Sequence, residues 1–342
     1  MQTFKVTMIK ELGRGTSGVV FKVQSHVDGS FKVVKTVDIS SVSYQKQKQA
    51  EKEVKILKRI DHPHLIKYIN SIFLEGTLYI LMDFAAGGDL QSLITSHKQK
   101  HQHISENQVW SWAYELCLAV HYLHSHKIMH RDIKCLNILL DKQNRIKLGD
   151  LGLSEILSEE SLENLSLGTP LFMSPEQIRH QPYGLKVDIW AIGCVLYNLC
   201  TLEAPFSGDN LLTLGHNITN MNPKPLPHRY SPRLQGFVNL LLEKDQDARP
   251  KIKDVIKLIP NSIKTRYQKP VEVIAGEGKT NVGTLPMLSP VKNVSVRVEP
   301  VKNFTISHRK FHITDAHEFP RSISRNLNNS KSRTTVYDLY NV

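Results

Sequence analysis

The chain has 342 residues and a net charge of +12, from 44 Lys and Arg against 32 Asp and Glu. That length exceeds what a single hydrophobic core usually serves, so two lobes, or one large unit with an extension, are expected. No run of about 18 apolar residues occurs, the start carries no apolar leader with a small-residue cleavage site, and Cys117, Cys135, Cys194 and Cys200 show neither C-x-x-C pairing nor regular spacing. These features argue against a membrane span, a secretory leader, a disulfide framework and a zinc site, and predict a reduced, cytoplasmic protein.

In chain order, short β-branched and aromatic runs come first: FKVTMIKELG (4–13), VVFKVQSH (19–26), SFKVVKTVDI (30–39) and TLYILMDF (77–84). Asp28-Gly29, between the second and third, is a hairpin signal. One helix is expected over YQKQKQAEKEVKILKRI (44–60), where Ala50, Val54, Leu57 and Ile60 keep the 3.6-residue rhythm. FAAGGDL (84–90) follows, and its Gly87-Gly88 pair is expected to let the backbone turn and flex. The texture then becomes helical in ENQVWSWAYELCLAVHYLHSH (106–126), VDIWAIGCVLYNLCTL (187–202), SPRLQGFVNLLLE (231–243) and PKIKDVIKLI (250–259). An α+β fold with a small β-rich lobe ahead of a larger helical lobe is predicted over residues 4–261.

From about Ser262 the helical rhythm stops, and PVKNVSVRVE (290–299) is echoed by PVKNFTISHR (300–309), too few copies for a repeat architecture. Residues 262–342 carry 13 basic against 6 acidic side chains, compared with 31 against 26 in residues 1–261. A largely disordered basic tail is expected, suited to an acidic partner such as a cytoskeletal protein ahead of nucleic acid. Cytoskeletal or nuclear association is left open on the same ground.

LGRGTSGVV (12–20) places Gly13, Gly15 and Gly18 in G-x-G-x-x-G-x-V. Glycines let backbone amides approach a polyphosphate without a Cβ in the way. Their position between two strands disfavours a dinucleotide fold, which needs a helix directly after them. Lys35 ends the third strand, and Glu53 lies on the following helix; taken singly, both read as surface charges.

Further along come HRDIKCLN (130–137), LGDLG (148–152), GTPLFMSPE (168–176), DIWAIG (188–193) and DARP (247–250). With the glycine loop, Lys35 and Glu53, their order and spacing resemble those of protein kinases. HPHLIKY (62–68), LYILMDFAAGGDL (78–90) and LGTPLFMSPEQI (167–178) are most similar to the NIMA-related (NEK) serine/threonine kinases. The resemblance implies a bilobal kinase that moves the γ-phosphoryl group of ATP, with Mg2+, onto Ser or Thr of protein substrates.

What it implies for single residues follows from the needs of phosphoryl transfer, which are positioning and charge compensation. Asp132 would orient the substrate hydroxyl, Lys134 would reach the γ-phosphate, and Asn137 and Asp150 would hold the metal. Lys35 would contact the α- and β-phosphates, held by an ion pair to Glu53. Loop residues Gly13, Arg14, Gly15, Thr16, Ser17, Gly18 and Val19 would cover the phosphates, while Leu12, Val20, Val33 and Leu139 would sandwich the adenine. Met82 would be the gatekeeper, the backbone of Asp83 and Ala85 would meet the adenine edge, and Asp89 would suit the ribose.

The competing class is a catalytically silent docking protein working through its tail. Its usual losses, among the lysine, the two aspartates and the glycines, are absent here. Residues 150–176 would form the activation segment, with Arg131 pairing an activating phosphate; Ser166 is the first candidate site and Ser161 the second, while Thr169 would bridge Asp132 and Lys134. Leu151 stands where such kinases usually carry phenylalanine, and its neighbours in a regulatory stack would be Leu57, Tyr68 and His130. Tyr68 matches a position from which some NEK members fold a tyrosine into the inactive site. Glu176 and Arg249 match a buried pair, Asp188 matches a carboxylate capping the catalytic-loop backbone, and His121, His124 and His126 read as covering a helix end.

Overall fold

The computed structural model describes residues 4–15, 18–40, 54, 57–151 and 170–268. Five antiparallel strands, β1 (Val6–Gly15), β2 (Gly18–Ser25), β3 (Phe31–Asp38), β4 (Tyr68–Leu74) and β5 (Thr77–Asp83), form a sheet in the order β1-β2-β3-β5-β4. The β2–β3 turn closes as its sequence predicts. Gly29 takes φ +68, and the Asp28 carboxylate accepts from the Ser30 N–H at 3.1 Å and its hydroxyl at 2.8 Å. β5 alternates in burial, β3 is buried without a break from Val33 to Lys35, and Val33, Val37, Leu78 and Ile80 belong to the core. Strand β4 is absent from the sequence-based expectation, because YINSIFL interrupts its apolar alternation with Asn70 and Ser71.

Helices dominate thereafter: α1 (Leu90–Gln99), α2 (Glu106–Ser125), the single-turn α3 (Pro175–Ile178), α4 (Lys186–Thr201), α5 (Leu211–Asn220), α6 (Pro232–Leu241), α7 (Ile252–Leu258) and α8 (Asn261–Gln268). A two-stranded sheet, β6 (Ile138–Leu140) with β7 (Ile146–Leu148), is inserted after α2. The starts of α2 and α6 are capped by Ser105 and Ser231, and Pro232 fills the first position of α6, where its missing N–H costs nothing. The two caps are joined, since Glu106 accepts from both the Ser231 N–H (2.8 Å) and its hydroxyl (2.5 Å).

Helix α4 is the centre of the helical lobe and is apolar on every side, with all residues from Val187 to Cys200 buried. Gly193 is required by its neighbour, because a Cβ there would lie 2.9 Å from the Leu241 side chain on α6. The predicted helix over residues 44–60 lies outside the described residues, apart from Val54 and 57–60; Val54 and Leu57 are buried.

Two expectations change. The chain does not leave the fold at Ser262: α8 continues to Gln268, with Ile263 buried at 1% exposure against α2. Its apolar content is only Ile263 and Tyr267, one turn apart on one face, too little to stand out among Ser, Lys, Thr and Arg. The Gly87-Gly88 pair is not a free flexing point. The Gly87 N–H donates to the Leu140 carbonyl (2.7 Å), the Leu140 N–H donates to the Gly88 carbonyl (2.8 Å), and a Cβ on Gly87 would sit 2.8 Å from the Leu140 and Asp141 carbonyl oxygens. Glycine is needed there for close approach, which fixes the connection between sheet and helices onto β6.

Candidate active site

The site lies where the five-stranded sheet meets the β6–β7 ribbon. The residues just before β4 stitch the two together: the Leu148 N–H donates to the His64 carbonyl and the Ile66 N–H to the Leu148 carbonyl, both at 2.9 Å. His64 is 5% exposed and its Nδ1 lies 3.2 Å from the Ile146 carbonyl. Burial lowers its pKa to about 4, so it is neutral in the folded protein near pH 7.

β7 runs directly into Gly149 and Asp150. Asp150 adopts φ +53, which turns its carboxylate out of the strand direction and toward the roof. There Lys35 Nζ donates to Asp150 Oδ1 at 2.7 Å. Lys35 is 4% exposed at its place on β3, and a buried ammonium group needs a partner of this kind. The expected partner, Glu53, lies outside the described residues, and the partner the structure gives Lys35 is Asp150.

The catalytic loop is held from behind by one carboxylate. Asp188, in the first turn of α4, accepts from the backbone N–H groups of His130 and Arg131, both at 2.9 Å, and from His124 Nε2 at 2.8 Å. This contact corrects the reading of His124 as helix-end cover: its ring is the third donor to the loop's anchor. Nothing in its spacing signals that role, since His121 and His126 look equivalent in the sequence. His130 is fully buried, with Nε2 donating to the Gly149 carbonyl (2.9 Å) and Nδ1 accepting from the Asp132 N–H (3.3 Å). Arg131 takes φ +69, the reversal that lets residues on either side of it be pinned.

Asp132, Lys134 and Asn137 converge in front of this anchor. Lys134 Nζ is 2.9 Å from Asp132 Oδ2, and Asn137 Nδ2 donates to the Asp132 carbonyl (2.9 Å) and to Oδ2 (2.8 Å). Asp132 Oδ1 is buried and has no hydrogen-bond partner among the described residues. A buried carboxylate oxygen without a donor is costly, and Thr169, expected to bridge Asp132 and Lys134, lies outside the described residues. Asn137 donates through its nitrogen, so its Oδ1 is the atom suited to a hard cation, as is Asp150 Oδ2 opposite the lysine-bound oxygen.

Above them, Gly13, Gly15 and Gly18 face Val20, Gly18 and Gly15 across the β1–β2 hairpin. A Cβ at Gly13 or Gly15 would meet nothing within 4 Å, whereas one at Gly18, with φ +115, would lie 1.9 Å from the Thr36 carbonyl oxygen. Only Gly18 is demanded by packing; at Gly13 and Gly15 the open space is of the kind a polyphosphate needs. Val20 pairs with Lys35 and Val33 with Met82, a row that roofs the cleft, and Leu139 on β6 lies opposite in the ribbon bridged to Asp89. Leu12 is 42% exposed on β1, and Arg14 pairs with Glu11 at 3.0 Å. Asp83 is bound at both ends, its N–H to the Lys67 carbonyl (3.0 Å) and its carboxylate to Lys32 Nζ (2.8 Å). Asp89 caps α1, accepting from the Ser92 N–H (2.7 Å) and hydroxyl (2.8 Å), so a ribose would share a carboxylate already in use.

Residues 6–258 match the protein kinase domain family, and the chain is 31% identical over 301 residues to the serine/threonine-protein kinase Nek2 of Homo sapiens, covering 84% of this chain and 68% of that protein. The chain belongs to the protein kinase family, in its NEK-like serine/threonine branch. It is also 36% identical over 254 residues to the serine/threonine-protein kinase Nek1 of Mus musculus and 34% identical over 255 residues to Nek5 of Homo sapiens, 74% of this chain in both cases. It spans 21% of the former's length and 36% of the latter's.

In this NEK-like kinase, Leu57, Tyr68, His130 and Leu151 are all buried. The Tyr68 hydroxyl has no hydrogen-bond partner among the described residues, and burial, reinforced by the Asp150 charge, pushes its pKa far up. The Glu176–Arg249 pair is bidentate, at 2.7 and 3.0 Å, and both side chains are buried. Cys135 is fully buried, and that burial raises its thiol pKa, as an inert small residue behind the loop requires. Thr16, Ser17, Glu53, Ser161, Ser166 and Thr169 lie outside the described residues.

Proposed function

We propose that the chain transfers the γ-phosphoryl group of ATP to Ser or Thr hydroxyls of protein substrates. The observation that carries this reading is the pairing of Lys35 with Asp150 and of Lys134 and Asn137 with Asp132, the two groups being joined by the Gly149 N–H donating to the Asn137 carbonyl at 2.8 Å. In it, Asp132 accepts the hydrogen bond of the substrate hydroxyl at Oδ1 and turns that oxygen toward the phosphorus. Lys134 keeps the Asp132 carboxylate in place through Oδ2 and offsets charge on the moving phosphoryl group. Lys35 holds the α- and β-phosphates from the roof. Asn137 Oδ1 and Asp150 would hold Mg2+, which neutralises phosphate charge during transfer.

The reading also covers what lies outside the described residues. Phosphorylation within 150–176, at Ser166 first and Ser161 second, would pair with Arg131. The basic stretch after the catalytic unit is a docking segment for acidic partners, and the protein works in the cytoplasm on protein substrates. No helix among the described residues is long and apolar enough to cross a membrane.

Radiolabelled phosphate transfer to a generic basic protein tests the assignment, wild type beside Asp132→Ala. Loss of about 10²–10⁴ in rate is expected for removing a group in the general-base position. Equal incorporation by both proteins defeats the catalytic role, and no incorporation by the wild type favours a silent docking protein.

A further inference from the structure

Helix α8 begins after residue 258, where the match to the kinase family ends, yet its last turn reaches the strand that carries the metal carboxylate. The Tyr267 hydroxyl donates to Glu115 Oε1 at 2.8 Å. Glu115, on α2, is 2% exposed, and its other oxygen accepts from the Ile146 N–H at 2.6 Å. Ile146 opens β7, and its carbonyl faces His64 Nδ1. The Tyr267 ring stands edge-on to His64, with centroids 6.4 Å apart, and lies 5.2 Å from the Tyr114 ring. Two residues after β7 comes Asp150.

This connection differs from ordinary helix packing in its chemistry. Among the described residues, each of the two side-chain oxygens of buried Glu115 has one donor, one on α8 and one on β7. Removing the tyrosine donor leaves that carboxylate half-satisfied beside β7, and it must then draw water or shift, carrying the Ile146 N–H with it. Ile263, buried in the turn before, keeps the helix docked even when the hydroxyl is removed.

We propose that Tyr267 is a positioning residue for Asp150, acting through Glu115 and β7. This rests on the kinase reading for the role of Asp150, but the clamp itself can be measured without it. The full chain is compared as wild type, Tyr267→Ala, Tyr267→Phe and Glu115→Gln, by amide hydrogen exchange across 146–150, thermal midpoint, and the Mg2+ dependence of phosphate transfer. In Tyr267→Ala, exchange of the Ile146 amide rises about tenfold. The Mg2+ concentration for half-maximal transfer also rises about tenfold, with a smaller change in kcat. Tyr267→Phe, which keeps the ring and removes only the donor, shows the same two shifts and carries the test if Tyr267→Ala does not fold. Glu115→Gln stays near wild type, because its amide oxygen can accept from Ile146 and its nitrogen can donate to the tyrosine oxygen.

A lowered thermal midpoint with unchanged Ile146 exchange and an unchanged Mg2+ curve overturns the proposal and leaves Tyr267 a packing residue. If the wild type transfers no phosphate, the kinase reading fails by itself. The exchange measurement then decides the clamp alone, and wild-type protection at Ile146 in both Tyr267 variants overturns it.

Discussion

At the residue scale, two buried oxygens have no hydrogen-bond partner among the described residues, and they call for opposite treatments. Asp132 Oδ1 is an unmet acceptor at the reactive position, whereas the Tyr68 hydroxyl is an unmet donor in the core below the sheet. Tyr68→Phe removes a polar group that folding strips of water for nothing in return, and a gain of about 1 kcal/mol is expected in urea denaturation. Asp188 presents the reverse case, one carboxylate meeting three donors. Asp188→Ala leaves the His130 and Arg131 amides unpaired and frees the loop, so kcat should fall about 10²-fold while the KM for ATP changes little, as steady-state kinetics would show. Residue identities in the catalytic loop were legible in the sequence because each is a distinct chemical type at fixed spacing. The contact of Lys35 with Asp150 was not, because an ion pair joining residues 115 positions apart is set by where two strands end.

At the scale of elements, strands and helices were readable wherever one face is uniformly apolar. β5, α2 and α4 are of this kind. β4 and α8 were missed because their apolar residues are few, and each is held by a neighbour: β4 by its ladder with β5, α8 by Ile263 and Tyr267 docked on α2. The glycine loop shows the two meanings of one residue type. Gly18→Ala places a methyl group on the Thr36 carbonyl in a backbone conformation that L-residues avoid, so it should lower stability by about 1–3 kcal/mol and raise the KM for ATP. Chemical denaturation together with ATP titration of initial rates measures both.

At the scale of the whole molecule, two buried electrostatic elements hold distant segments together. The Arg249 guanidinium is clamped by Glu176 and also donates to the Glu243 and Lys186 carbonyls, joining α3, α4 and the segment before α7. Arg249→Ala strands a buried carboxylate, and a loss of about 3–5 kcal/mol is expected in equilibrium unfolding. His64 joins the sheet to β7. Its folded pKa of about 4 lies below the ordinary 6.5, so the unfolded chain takes up a proton first as the pH falls. Its contribution to stability is therefore complete above about pH 6.5 and is lost between there and about pH 4. Unfolding measured across that window should show a decline that His64→Gln flattens.

The sequence by itself determined the two-lobed order of strands then helices, the chemical types of the site and their spacing along the chain. Hydrophobic period and side-chain chemistry are local properties, and both survive in one dimension. Only the tertiary structure decided that Lys35 meets Asp150, that His124 anchors the catalytic loop through Asp188, that Gly87 is pressed against β6 and that Tyr267 reaches β7 through Glu115. Each of these is a contact between segments distant in sequence, made where helices and strands happen to end, and no local pattern records where two ends will meet.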